Sequence, residues 1–288
     1  MPTTHTFGTS HYLDVGAGRK LHYMVKGEGT TTVVFESGMG ASRAAWGLVQ
    51  PAIAQAVRTV VYDRAGLGRS DADNEPRTLE RITGDLLALL GELGPGPFIL
   101  VGHSWGGPIV RRAAEKLLAS SSVTIQGLVL VDPSDEHVDL YFSKAAALNF
   151  ALLGKLLPGI ARLGLYRRMS GAPPKNLPQD IREEHLREDF TLQAAKASVA
   201  EMTTFLKDLK ELRHHPAELG HLEVVILSGT MITRMERRTR PALIAAHRKS
   251  VSLLTNARHV EAPRSGHMIV NTEPELIIEV VLQMIRDE

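Results

Sequence analysis

The heptapeptide Val101-Gly102-His103-Ser104-Trp105-Gly106-Gly107 restricts what this chain can fold into more than any other stretch. The apolar run at 98–100 before it reads as a short buried strand. Residues 108–118 after it carry helical spacing and end in a serine cluster. Ser104 therefore stands on a strand-to-helix corner. Such a tight corner puts its central residue in a strained backbone conformation and presses its neighbours against adjacent backbone, which accounts for Gly102 and Gly106. The strain holds the Ser104 hydroxyl up at the end of the sheet. G-x-S-x-G in this setting is a nucleophile elbow.

The chain in order supplies the sheet that such a corner needs. Residues 11–15 and 19–25 alternate around Gly16-Ala17-Gly18 and predict an antiparallel hairpin at the sheet edge. Short β-branched or apolar runs at 32–35, 59–62, 98–100, 127–131, 224–227 and 259–261 read as buried strands. Helical spacing at 41–57, 78–93, 108–118, 241–249 and from Pro274 onward fills the intervals. That alternation predicts an α/β fold, a mostly parallel sheet flanked by helices, with functional loops at the C-terminal strand ends. Residues 134–221 break the alternation. Segments 141–169, 179–188 and 191–212 are helical by period, interrupted at Pro158-Gly159, at Gly171-Ala172-Pro173-Pro174 and near Asp189. The expected organisation is a core of 1–133 and 222–288 carrying an inserted helical cap at 134–221.

Composition removes several functions. Lys plus Arg total 33 against 32 Asp plus Glu, so no global field favours nucleic acid or an anionic membrane. The chain has no cysteine, which excludes disulfides, thiolate catalysis and Cys-ligated metals and suits a reducing cytosol. Met1 to Ser10 is polar, without the apolar core of a signal peptide, and no uninterrupted apolar run approaches the roughly 20 residues of a membrane span. The expectation is a cytoplasmic protein of undetermined oligomeric state. His214-His215 lacks matched ligand partners and reads as a helix-end surface pair rather than a metal site.

Four stretches, Glu36-Ser37-Gly38-Met39-Gly40, Asp63-Arg64-Ala65-Gly66-Leu67-Gly68-Arg69-Ser70, Gly102-His103-Ser104-Trp105-Gly106-Gly107 and Ser265-Gly266-His267, resemble the α/β-hydrolase superfamily. The resemblance spans nearly the whole chain except its middle segment. It implies Ser104 as nucleophile, His267 as base, and the Met39 and Trp105 N–H groups as an oxyanion hole. Asp63 and Arg64 then belong to loop scaffolding, and His103 to packing or to the oxyanion side. In much of the family the triad acid follows the strand here at 224–227. That strand runs instead into Ser228-Gly229-Thr230-Met231-Ile232-Thr233, with no carboxylate before Glu236. A base imidazole needs a buried acceptor on its far nitrogen. Asp132, after the sixth strand, stands on the same edge as Ser104, where branches resembling haloalkane dehalogenases and certain lactone hydrolases carry theirs. Asp132 is therefore the expected acid, with Asp135 and Glu136 as lesser candidates.

The implied function is a serine hydrolase cleaving a hydrophobic carboxylic ester through an acyl-enzyme, with no metal or organic cofactor. A carboxylesterase is the first reading and a lactone hydrolase the second. Dehalogenase and epoxide-hydrolase chemistry is disfavoured, since the enzymes resembled use a carboxylate nucleophile. Of Leu140, Tyr141, Phe142, Leu148, Phe150, Leu153, Leu156 and Leu157, some are expected to line an acyl or ring pocket and others to form cap core. An aminopeptidase or amide hydrolase would need cap acids facing that pocket, for which Glu183, Glu184, Glu188 and Asp189 are the candidates. A hydrolase-fold ligand receptor is the non-enzymatic alternative.

Overall fold

The computed structural model describes residues 5–120, 123–169, 172–234 and 236–286. The sequence readings at Met1–Thr4, at Ser121 and Ser122 and at Gly171 lie outside the described residues.

Eight strands form one sheet: β1 (Thr9–Asp14), β2 (Lys20–Lys26), β3 (Thr32–Glu36), β4 (Arg58–Tyr62), β5 (Phe98–His103), β6 (Ile125–Val131), β7 (Glu223–Gly229) and β8 (Ala257–Ala262), in the order β1-β2-β4-β3-β5-β6-β7-β8. β1 and β2 make the predicted edge hairpin, with Leu13 opposite Leu21, and β2 also pairs antiparallel with β4. All other pairings are parallel. Parallel strands are covered on both faces, so both sides of each must be apolar. Val34, Val60, Leu100, Leu128 and Ile226 face α2 (Leu79–Leu93) and α3 (Gly106–Ser120). Their strand neighbours Val33, Val61, Ile99, Val129 and Leu227 face α1 (Gln50–Ile53) and α10 (Pro274–Arg286). α8 (Thr239–Leu253) links β7 to β8, and α9 (Ile269–Thr272) precedes α10.

Between β6 and β7 lie a 3-10 turn (Asp139–Phe142) and the helices α4 (Lys144–Arg162), α5 (Tyr166–Met169), α6 (Gln179–Glu188) and α7 (Leu192–His214). Phe205, Leu209 and Leu212 of α7 share one buried cluster with the sheet and α3, so this helix is anchored in the main core. α4 packs on α7 through Leu157, Ala161 and Ala195.

Two local expectations change. Residues 41–57 do not make one helix but a 3-10 turn (Arg43–Trp46) followed by the four residues of α1. Gly47 and Pro51 weaken the interval, and any side chain at Gly47 would strike Leu177. Pro158 does not break its helix: it forgoes the one bond to the Gly154 carbonyl, and the helix continues because Leu157 and Ala161, one turn apart, are buried together against α7. α4 is also, by length and composition, long and apolar enough to cross a membrane, although Lys155 interrupts it and only 11% of its apolar window is buried.

Candidate active site

Ser104 sits at the end of β5 with φ 54°, a left-handed conformation that costs a non-glycine residue on the order of 1–3 kcal/mol. The surroundings fix it there. The Ser104 N–H donates to Val131 O, and its carbonyl accepts from the N–H groups of Gly107 and Ser134. A Cβ on Gly102 would lie 2.5 Å from Gly106 O, and one on Gly106 would lie 2.4 Å from Glu36 O, so both elbow glycines are required by close backbone approach.

The Ser104 O–H donates to His267 Nε2 across 3.0 Å, and His267 Nδ1–H donates to Asp132 Oδ2 across 2.7 Å. His267 comes from the loop between β8 and α9, and its side chain remains 40% exposed. Asp132 follows β6 in a left-handed conformation (φ 41°), with its carboxylate fully buried. Burial by itself raises the Asp132 pKa. The hydrogen bond and charge of His267, with help from His247 and Arg240, reverse that and lower it below the usual carboxylate value. The lesser candidates go elsewhere: Asp135 accepts from Ser250 and the His137 N–H, and Glu136 makes a two-pronged pair with Arg111. Glu236 reaches the site, yet its carboxylate faces Thr233 and Arg240.

Two peptide planes orient the Met39 and Trp105 amides. A trans peptide points its N–H opposite its C=O. The Gly38 carbonyl accepts from Arg64 Nη2 at 2.6 Å, which turns the Met39 N–H away from Arg64. The Ser104 carbonyl is likewise occupied, which turns the Trp105 N–H away from Gly107 and Ser134. Neither amide donates to another described residue, and both residues line the cavity that holds Ser104 and His267. Arg64 also binds Ser37 O, Glu36 and Glu201, and Glu201 accepts from Gly40 N–H at 3.1 Å. A buried cation thus ties this loop to α7. Burial raises the Glu36 pKa, opposed by Arg64 and the Tyr62 hydroxyl. Asp63 holds Arg43 and His22 in a separate buried cluster, a scaffolding position.

His103 lies between Trp46, met edge-on, and His267, with ring centroids 4.8 Å apart. It donates from Nε2 to the His267 carbonyl. Burial, reinforced by the His267 charge, lowers its pKa to about 4, so it packs as a neutral ring. The Trp105 ring packs edge-on against Phe205 and is fully buried.

The cavity above Ser104 measures about 420 Å³. Leu140, Tyr141 and Phe150 line it, as do Phe205 and Leu243, which the sequence reading did not single out. Phe142 instead lies under the Arg213 guanidinium, Leu157 is buried against α7, and Leu148, Leu153 and Leu156 face outward. A larger hollow of about 940 Å³, bounded by Arg111 and Glu136, does not include Ser104. None of Glu183, Glu184, Glu188 and Asp189 lines the Ser104 cavity. Glu184 and Glu188 pair with Arg43 and Arg69, Asp189 pairs with His185, and Glu183 is exposed. Among the described residues no cluster of three or more His, Asp or Glu is arranged to hold a metal, and His214 and His215 are exposed.

The sequence reading missed Arg240 and Glu201. Arg240 is 4% exposed and places Nη1 2.7 Å from both oxygens of Asp132. Neither residue lies in a motif, and only packing brings them in.

The model of the alpha/beta hydrolase family matches residues 33–280. A relative in Gibberella zeae described as an AB hydrolase superfamily protein is 26% identical, with 95% of this chain and 94% of its own length aligned. The unliganded epoxide hydrolase CorEH superposes with a TM-score of 0.68 at 20% identity, covering 97% of this chain and 99% of that one. A protein of Acinetobacter baumannii provisionally described as a lipase gives 0.72 at 18% identity, covering 98% and 94%. At such identities the two structures speak for the fold alone.

Proposed function

Because this chain belongs to the alpha/beta hydrolase family, we propose that it is a serine hydrolase that cleaves an uncharged carboxylic ester with a hydrophobic acyl or ring portion. The observation that carries this reading is the hydrogen-bonded series Ser104 Oγ, His267 Nε2, His267 Nδ1, Asp132 Oδ2 at the floor of a largely apolar cavity.

In this reading Ser104 Oγ attacks the ester carbonyl while His267 Nε2 takes its proton. Asp132 fixes the His267 tautomer and stabilises the imidazolium. The oxyanion develops against the Met39 and Trp105 amides, each worth on the order of 3 kcal/mol of barrier. Collapse expels the alcohol, which receives the proton from His267. Water then repeats the sequence on the acyl-enzyme and releases the acid.

The nucleophile's chemistry favours acyl transfer over epoxide opening. Serine attack on an epoxide would leave an alkyl ether with no carbonyl for water to attack, and turnover would stop there. Of the acids that an aminopeptidase reading required, Glu184, Glu188 and Asp189 are held by Arg43, Arg69 and His185, and Glu183 is exposed outside the cavity, so no specific observation favours that alternative.

Hydrolysis of p-nitrophenyl esters of increasing acyl length, with Ser104→Ala as control, tests this function. Turnover that disappears in the control supports it. Turnover that persists in Ser104→Ala, or an absence of hydrolysis across open-chain esters and lactones alike, rejects it.

A further inference from the structure

We infer that the outward face of α4 is a docking surface for an anionic lipid bilayer, on which the helix lies in the headgroup plane without spanning it.

α4 is apolar on two sides. Its inward side packs on α7 through Leu157 and Ala161 and carries Phe150 into the cavity above Ser104. The outward side is left bare: Leu148 is 69% exposed, Leu152 53% and Leu156 51%, with Leu163 at 74% just beyond the helix end. The first three recur every four residues, so they form one stripe, and an apolar stripe on a well-packed chain marks a contact surface.

Charge identifies the occupant. At about 100° per residue, Lys144, Lys155 and Arg162 fall within ~20° of one another, in a row beside the leucine stripe. Arg167 and Arg168 follow, also exposed. From 140 to 179 the chain holds six basic residues and no acid, although its overall formal charge is only +1. Among the described residues none of Lys144, Lys155, Arg162, Arg167 and Arg168 makes an ion pair with another side chain, and all five are exposed. A leucine stripe flanked by a basic row matches a surface whose headgroups are negative and whose interior is hydrocarbon. A second copy of the same face would meet its partner with like charge and with no acid in the stretch to offset it. A spanning orientation would bury Lys155 in hydrocarbon and strip Phe150 and Leu157 from α7.

The test is co-sedimentation of the full chain with phosphatidylcholine vesicles containing about one-third phosphatidylglycerol, against pure phosphatidylcholine vesicles. Expected is binding to the anionic vesicles that weakens as salt rises from ~0.05 M to ~0.5 M. Combined Lys144→Gln, Lys155→Gln and Arg162→Gln should lower that binding about 100-fold, roughly fivefold per cation. Combined Leu148→Ser, Leu152→Ser and Leu156→Ser should lower it more than about tenfold. Both variants should melt within a few degrees of wild type, since the altered side chains touch no core. Failure of the wild type to bind anionic vesicles, or equal binding by either variant, overturns the inference. So does light scattering that shows a dimer which the leucine variant alone converts to a monomer, because a second copy would then own the face.

Discussion

Arg240 Nη1 lies 2.7 Å from each carboxylate oxygen of Asp132, the same group that accepts from His267 Nδ1 at 2.7 Å and from Gly229 N–H at 3.0 Å. Asp132 therefore has two tasks: it orients the imidazole and it neutralises a buried guanidinium. Asp132→Asn should lower kcat by about 10⁴ through loss of the imidazole's anionic partner. It should also destabilise the fold by about 1–3 kcal/mol, since Arg240 then keeps only the longer pair with Glu236 at 3.3 Å as its counter-ion. Arg240→Met should lower stability as well but keep kcat within about tenfold, because the bonds from His267 and Gly229 remain. Stopped-time hydrolysis and urea unfolding of the two variants separate these effects. Turnover within tenfold of wild type in Asp132→Asn contradicts the assignment.

Arg64 turns the Met39 amide by holding the carbonyls of Ser37 and Gly38 while pairing with Glu36 and Glu201. Lysine keeps the charge but not the planar fork that meets these acceptors together. Arg64→Lys should lower kcat about 30-fold and leave KM within about twofold, since the misaligned donor acts on the oxyanion rather than on bound ester. A rise in KM with unchanged kcat would place the effect in substrate binding instead.

Phe150 closes the cavity from α4, its ring tilted by 42° against Phe205 with the centroids 5.3 Å apart. Phe150→Ala should shift the preferred p-nitrophenyl ester towards longer acyl chains and raise kcat/KM for them relative to acetate by about tenfold or more. The comparison of acyl-length profiles checks this. An unchanged profile would mean that the acyl group does not lie against α4.

His103 makes stability depend on mild acid. Its pKa is lowered from the ordinary 6.5 to about 4 by burial and by the His267 charge. Between those values the unfolded chain binds a proton that the folded chain does not. Stability present above about pH 6.5 should therefore fall as pH drops towards 4, by up to ~3 kcal/mol. His247, also buried and lowered, contributes in the same direction. Urea midpoints at pH 7, 5.5 and 4.5 should decline less in His103→Gln than in wild type, and parallel declines would contradict this assignment.

The sequence disclosed most where a residue's role depends on its immediate neighbours. Ser104 and His267 stand in short glycine-bearing loops, and the strands around them are runs apolar on both faces. Asp132 was legible by another route, the missing carboxylate after β7. Arg240 was illegible because it reaches Asp132 across 108 residues from the start of α8, and Glu201 because it meets Gly40 across 161. For α4, composition announced an apolar helix without saying which side faces in. Phe150 and Leu157 turned inward, Leu148 and Leu156 outward, a choice made by the surface of α7. At residues 41–57 the apolar spacing is helical, while Gly47 and Pro51 decide the backbone and leave only a 3-10 turn and one short helix.

The central claim is that Ser104, activated by His267, carries the acyl group. Intact and peptide mass spectrometry after treatment with an alkyl fluorophosphonate tests it most directly. The account predicts one adduct per chain, on Ser104, absent in Ser104→Ala and formed at least about 100-fold more slowly in His267→Ala. An adduct on another residue, or equal labelling of the His267→Ala variant, would contradict it.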